Sequence, residues 1–486
     1  MTDPNISLAA TSGDMVAWIE QILAHGIRRP GYPGDLAVES CLESAFKEFG
    51  LEGVSKEPVP VNRWEAQETW LQFPEFGSEV PCAAIPYTAW TPESGVESPC
   101  VFLGSAAQED FEGKDLHGKI VVIEARFADF SASMLKANAT HIHDPEGTIP
   151  DGVLHKANWL IANFPAYFEA LARGAAGLIG LLVDAPIDGC DYWVPYDGFL
   201  KDLPAVWVGR EHAGTVKALA HEGRLARLVS RGETAVVDSH NVVGWVKGRG
   251  EESILLTCHH DAPYTSAVED ASGLSVLLAL AKTFGKHPGL LERNLLFVAS
   301  SGHFHGGIGN RAFVERHRED WLAGVVAALG MEHIAHEVEG GPLGEYRLTG
   351  LPEVRALFAE GDLMRQFARE ALRPGVLERS LVLPAYLFGP EPPCDSAPYF
   401  TAGISSLCHI SGPLYLFDPE DTLDKVRIED LEPAAAFFTE LIQKIDQAPL
   451  ADLERGLSRK RSDPPAPPPH WFLPREEYLR QSRQQA

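Results

Sequence analysis

Apolar positions recur at helical spacing from about residue 14 to 50, where Met15, Trp18, Ile19, Ile22 and Leu23 share one face and a second helix is expected from Ala37 to Phe49. This predicts an opening helical layer. Between about 55 and 98 the pattern becomes short β-like runs broken at Pro58, Pro60, Pro81 and Pro86. From about 100 to 232 a strand at Gly118–Ile123, a helix end feeding a strand at Ala172–Ile179 and a third strand at Pro204–Val208 predict a small α/β unit. After Asn241, strand and helix alternate: strands at Ile254–Cys258, Asn294–Ser300, Val325–Leu329 and Ile404–His409, with a helix at Leu274–Phe284. Alternation of this kind predicts an α/β protein with a mixed, largely parallel sheet covered by helices on both faces.

A length of 486 residues exceeds one ordinary domain. The changes of texture divide it into a body made of residues 1–99 and 233–450, an inserted smaller α/β domain at 100–232, and a C-terminal arm at 451–486. The run Pro464-Pro465-Ala466-Pro467-Pro468-Pro469 in that arm can form neither a helix nor an inner strand.

Composition narrows the function classes. Hydrophobic residues at 45% and charged residues at 22% are those of a globular protein. A formal charge of -27 would repel a polyanion, which argues against nucleic acid as a partner. No stretch approaches a membrane span. Met1 to His25 lacks the basic start and apolar core of a secretory signal, and seven irregularly spaced cysteines without a CxxC pattern read as free thiols. A cytoplasmic location is therefore expected, with Cys258 and Cys394 as packing residues. The oligomeric state stays open, a homo-oligomer included.

In an open α/β sheet, ligands bind outside the carboxyl ends of the strands. Four such ends carry chemistry here: His259-His260-Asp261, Glu269-Asp270 at the start of a helix, the run Ser300-Ser301-Gly302-His303-Phe304-His305, and Met331-Glu332-His333. A lone His or Glu after a strand is ordinarily a solvated loop residue. Four converging ends point instead to a metal centre of imidazoles and carboxylates.

His259-His260-Asp261 followed by Ala267-Val268-Glu269-Asp270-Ala271-Ser272-Gly273 resembles the His-x-Asp and Gly-Ala-x-Asp-Asn-x-Ser-Gly motifs of the M28 zinc aminopeptidases. Gly306-Gly307-Ile308-Gly309-Asn310 is similar to the glycine turn after that family's Glu-Glu pair. Asp418-Pro419-Glu420-Asp421-Thr422 resembles its late His-Thr-Pro-x-Asp-Thr motif. The order of elements between 100 and 232 resembles the protease-associated (PA) domain that many of these enzymes carry, so that the likeness covers most of residues 95 to 445.

Carried over residue by residue, the resemblance makes His259, Glu269 and Glu332 ligands of one divalent ion, zinc by preference with manganese or iron as alternatives. Asp261 takes the place of the carboxylate supporting that histidine. Phe304 and Phe417 stand where the second metal has a glutamate and a histidine, so the second metal is expected to be absent. His303 replaces the catalytic glutamate that deprotonates water, work an imidazole can do near neutral pH.

Adjacent strand residues face opposite sides, which sets His260 apart for substrate contact or packing if His259 is the ligand. Asp270 serves either the metal or the helix N-terminus. The expected catalytic set is therefore His303, Asp261, His260 and Asp270; the expected substrate-contacting set is Phe304, His305, His333, Asp395 and Phe417. What the resemblance implies is a mononuclear metal-dependent hydrolase that cleaves an amide or related C–N bond of a small, partly apolar molecule or short peptide. The alternatives are an aminopeptidase with an altered second metal site and an inactive scaffold of the same fold.

Overall fold

A computed structural model describes residues 6–341 and 344–463. The first helix, Ser12–Leu23, opens with a reciprocal cap between Thr11 and Asp14 and buries Met15, Ile19 and Ile22. The second, Pro33–Glu48, begins four residues before the expected Ala37, because Pro33 occupies the first helical turn, where no N–H is needed.

The centre of the molecule is one large sheet. Ser253–His259 runs parallel to Asn294–Ser300 on one side and to Val325–Met331 on the other, and Val325–Met331 runs parallel to Ser405–Ser411. The first three are buried at every residue, which explains their unbroken apolar runs. The nearly all-buried helix Gly273–Gly285 packs on one face with Ser12–Leu23 and Leu431–Gln447; Ile308–Arg316 and Ala397–Thr401 cover the other.

The sheet continues beyond the predicted strands. Arg355–Glu360 lies antiparallel to Ser405–Ser411, Ser380–Pro384 parallel to Arg355–Glu360, and His141–His143 closes that edge. On the opposite side Leu225–Val246 pairs with Asn294–Ser300 through its C-terminal half and with Val96–Phe102 through its N-terminal end. Glu52–Phe73 pairs with Leu225–Val246 along nearly its whole length.

Three expectations change here. The β-pieces expected to break at Pro58 and Pro60 are one strand of 22 residues. Pro58 and Pro60 are two residues apart, so both missing N–H groups fall on the same, unpaired edge, where a proline removes no ladder bond.

The domain boundaries shift as well: residue 100 lies inside the strand Val96–Phe102 and residue 232 inside Leu225–Val246. The strands Ile120–Glu124, Gly177–Leu181 and Ala205–Val208 do form a small parallel unit with the helix Arg210–His221. Residues 132–143 leave it, however, and dock with Ala132 and Leu135 against Leu381 and Leu383 at the far edge of the main sheet. The inserted segment is thus stitched to both ends of the body.

The expected arm also begins later than residue 451. Leu450–Leu453 is a helical turn with Leu453 buried, and Arg461 donates to the carbonyl of Leu322 at 2.7 Å. The proline run from Pro464 lies outside the described residues. Among the described residues no helix is long and apolar enough to cross a membrane.

Candidate metal centre

The strand ends bring their polar residues to one buried cluster. His259 closes its strand and turns Nδ1 to the carbonyl of Asp261 at 2.9 Å, which fixes the proton on Nδ1 and leaves the Nε2 lone pair free. Nε2 lies 2.9 Å from Glu269 Oε1 and 3.6 Å from Asp270 Oδ2. Glu332 follows the strand Val325–Met331. Its Oε1 accepts from the Asp395 N–H at 2.9 Å and the Cys408 S–H at 3.0 Å. His333, next in the chain, has a left-handed backbone with φ of 58°, uncommon for a residue with a Cβ and frequent at functional sites. This turn sends its imidazole back to the cluster, with Nδ1 on the Ser411 carbonyl at 2.5 Å and Nε2 2.9 Å from Glu269 Oε2.

His259 Nε2, His333 Nε2, Glu269 Oε1 and Glu332 Oε2 are all buried, and none completes a well-directed hydrogen bond despite these short separations. Unpartnered nitrogen and oxygen atoms crowded in this way are what a cation site needs. One ligand atom each from His259, Asp270, Glu332 and His333 lies within 4.8 Å of the others, and the same holds for His259, Glu269 and His303. Charge argues the same way. Asp261, Glu269, Asp270, Glu332 and Asp395 surround His259, His303 and His333, and burial pushes the carboxyls of Asp261 and Glu332 upward and that of Asp270 to about 7, the response of acids crowded with too little positive charge. Burial alone would lower His333, yet Glu269 and Asp270 carry it up to about 10. A divalent cation would take the place of such protons.

Asp270 braces the cluster through both oxygens. Oδ1 accepts from Gly273 N and His333 N, each at 3.1 Å, and Oδ2 from the Cys258 S–H at 3.1 Å. A Cβ on Gly273 would come within 2.5 Å of Asp270 Oδ1, so the helix has to start on glycine for the carboxylate to approach.

His303 sits on the loop after Asn294–Ser300. Its ring stacks on His259 at 3.9 Å between centroids, and its Nδ1 lies 3.3 Å from Asp395 Oδ1. Burial and His259 act to lower its pKa, but Asp395 outweighs them and the net shift is upward.

Several expected roles change on this geometry. Asp261 reaches His259 through its backbone carbonyl, while its carboxylate accepts from the backbone N–H groups of His303 at 3.0 Å and Phe304 at 2.7 Å, latching the loop. His260 faces away from the cluster as the strand pleat dictates. It lies 2.9 Å from Asp35 and 2.9 Å from the His240 carbonyl, a packing role rather than a catalytic one. His305 also turns away, packing edge-on to Tyr87 with Nε2 3.3 Å from Asn62 N, and burial with Lys201 nearby lowers it to about 4. Asp395 bridges His303 and Glu332 instead of facing substrate, and His333 joins the ligand cluster. Phe304 and Phe417 lie 5.9 Å apart beside the metal cluster.

Other contributors carried no signal in the sequence. Tyr196, from the inserted segment, packs against Phe304 at 5.5 Å and Phe417 at 5.3 Å and parallel to His303 at 6.0 Å. Arg28 is fully buried and donates to the carbonyls of His260, Thr265, Ser266 and Glu269, clamping the turn that bears Glu269. Asp421 holds the same turn by accepting from Val268 N at 2.8 Å and Glu269 N at 2.9 Å. Only its place in the late motif could have singled it out.

Residues 241–371 match the sequence model of Peptidase family M28. A carboxypeptidase Q of Xenopus laevis is 23% identical over 65% of this chain, and the match spans 63% of that relative's length. BSAP, a zinc aminopeptidase from Bacillus subtilis, superposes with a TM-score of 0.66 at 18% identity, covering 92% of this chain and 98% of that one. An aminopeptidase from Aneurinibacillus sp. strain AM-1 gives 0.58 at 20% identity, covering 89% and 93%. His259, Asp261, Glu269, Asp270, His303, Glu332 and His333 all fall within the matched segment, and the chain has an M28 zinc-peptidase-like fold.

Proposed function

We propose that the protein is a metal-dependent hydrolase that uses one divalent ion to cleave an amide or related C–N bond of a small, partly apolar substrate. The observation that carries this reading is a buried cluster in which one ligand atom each from His259, Asp270, Glu332 and His333 lies within 4.8 Å of the others, Glu269 meets His259 and His303 in the same way, and His259 Nε2, His333 Nε2, Glu269 Oε1 and Glu332 Oε2 have no hydrogen-bond partner. The similar aminopeptidases and carboxypeptidase favour a peptide-type bond as the one broken.

His259, Glu269, Glu332 and His333 would hold the ion, and nitrogen and oxygen donors suit zinc, with manganese or iron next. When bound, such an ion supplies Lewis acidity and lowers the pKa of water. The side chains do the rest. Asp395 takes the Nδ1 proton of His303 in a hydrogen bond, so Nε2 is the atom left to accept a proton from water and return it to the leaving nitrogen. Asp261 fixes the loop on which this imidazole sits. Tyr196, Phe304 and Phe417 form an apolar wall that excludes water where a second ion would otherwise receive a free amino terminus.

A reducing, cytoplasmic setting is proposed from the acidic charge and from seven cysteines that are all free. The test of function is paired. Metal content of protein purified without added metal should lie near one ion per chain. Hydrolysis of blocked amides should vanish with a chelator and return with zinc. Metal-free protein that hydrolyses amides at full rate, or loaded protein that cleaves none, overturns the reading.

A further inference from the structure

A cavity of about 330 Å³ lies between the inserted segment and the body, lined in part by Leu414 and Asp418 on either side of Phe417 in the chain. Ile187, Tyr192, Tyr346 and Leu414 give it largely apolar walls. Among the described residues its charged groups are all acidic. Asp191 and Glu420 are exposed and make no ion pair with any described residue, while Asp418 is buried. Asp188 and Glu345, also in the lining, are turned to Arg210 and Arg347, which stand outside it.

The buried acid is incompletely satisfied. Asp418 accepts from the Tyr346 hydroxyl at 2.7 Å and the Glu420 N–H at 2.8 Å, but among the described residues no cationic side chain reaches it. Burial pushes its carboxyl up to about 8, the response of an acid lacking a counter-charge. The Tyr192 hydroxyl and the Asn158 amide oxygen, on two further lining residues, are buried without any hydrogen-bond partner. Buried polar groups without partners call for something to satisfy them, and here both lie on the wall of an open cavity.

Apolar walls, the Asp191 and Glu420 carboxylates at the mouth, and a buried acid that a cation would draw back to its charged form match an alkyl stem that carries a cationic head. The cavity also adjoins the metal cluster through one short segment. Tyr192 lines it, Trp193 donates to the Phe417 carbonyl at 2.9 Å, and Tyr196 stacks on the Phe417 ring. We propose that this cavity is a recognition subsite for a basic side chain, a lysine or arginine of the substrate, held by Asp418, Asp191 and Glu420. The proposal deepens the hydrolase reading and rests on it for the word substrate, though not for the binding itself.

Binding of N-acetyl-arginine methylamide and of its neutral norleucine counterpart to the full chain, measured by calorimetry, separates the two. The arginine probe should bind about tenfold tighter, the worth of one charge-assisted hydrogen bond. Asp418→Asn should abolish that preference and leave the neutral probe unchanged. If Asp418→Asn fails to fold, the exposed double variant Asp191→Asn/Glu420→Gln should still weaken the preference at least threefold. Equal binding of both probes, or a preference untouched by the variants that fold, overturns the proposal. Preference without any amide hydrolysis would keep the subsite and sink the hydrolase reading; hydrolysis without preference would do the reverse.

Discussion

The imidazole of His303 lies stacked on that of His259, ring centroids 3.9 Å apart and planes 20° from parallel. A ring in that position is close enough to serve the centre, and its Nδ1 is committed to Asp395. Replacing His303 with Ala should lower kcat by about two to four powers of ten, the usual worth of a general base, and leave metal content unchanged. Loss of the metal in this variant would make His303 a ligand, and full turnover would leave it a loop residue.

Cys408 donates its S–H to Glu332 Oε1, orienting the other oxygen toward the centre. Outer partners of this kind typically contribute tenfold to 100-fold in metal affinity, so Cys408→Ala should weaken zinc binding by roughly that factor. Glu332→Ala should lose the ion altogether. Elemental analysis and competition with a chromogenic chelator measure both, and full retention in Glu332→Ala contradicts the assignment.

Asp261→Ala leaves two buried backbone N–H groups, those of His303 and Phe304, without acceptors. At about 1–3 kcal/mol each, the change should lower stability by a few kcal/mol and release the catalytic loop. Turnover should fall while the ion stays bound. Denaturant melts and metal analysis on the same sample check this, and an unaltered rate would show that the latch is not needed.

Glu353 is buried, and its carboxyl is raised by that burial to about 7 from an ordinary 4.5. The folded chain therefore binds this proton more tightly than the unfolded one. Its stabilising contribution is complete below about pH 4.5 and is lost as the pH rises through about 7. Glu353→Gln should match the parent at low pH and exceed it above about pH 8 by on the order of 1–3 kcal/mol. A difference that does not change with pH in thermal melts would refute the assignment.

On the proposed one-ion reading, Phe304 and Phe417, 5.9 Å apart, take the place where a second ion would receive a free amine. Aminoacyl anilides with a free amino group should accordingly be poorer substrates than their acyl-blocked counterparts. A kcat/KM ranking in the opposite order would return the protein to aminopeptidase chemistry.

How much of this was legible depended on the kind of signal. The runs at Ile254–Cys258 and Asn294–Ser300 declare inner strands because both faces are covered and every position must be apolar. Arg355–Glu360 is just as buried, yet it begins and ends on charged residues whose partners are remote in sequence, such as Asp430 for Arg355, and it went unnoticed. Pro58 and Pro60 misled because a proline reports only on its own N–H and not on which edge of a strand that group would face. In the site, alternation along a strand separated His259 from His260. The turn that brings His333 back to Glu269 depends on a left-handed residue that composition does not announce. Tyr196 comes from a distant loop, and its contact with Phe417 exists only in three dimensions.

The paired strands Glu52–Phe73 and Leu225–Val246 have a mechanical meaning. At about 3.3 Å per residue each has a contour of roughly 70 Å, and together they act as a beam anchored at one end beside the metal-bearing strands and at the other in the inserted unit. A swing of the inserted unit as a whole would have to flex or twist this beam, because the pairing runs on through residue 232. Amide protons along its middle should therefore exchange with the slow kinetics of the whole body, and any such swing should be set by bending stiffness instead of by hinge geometry.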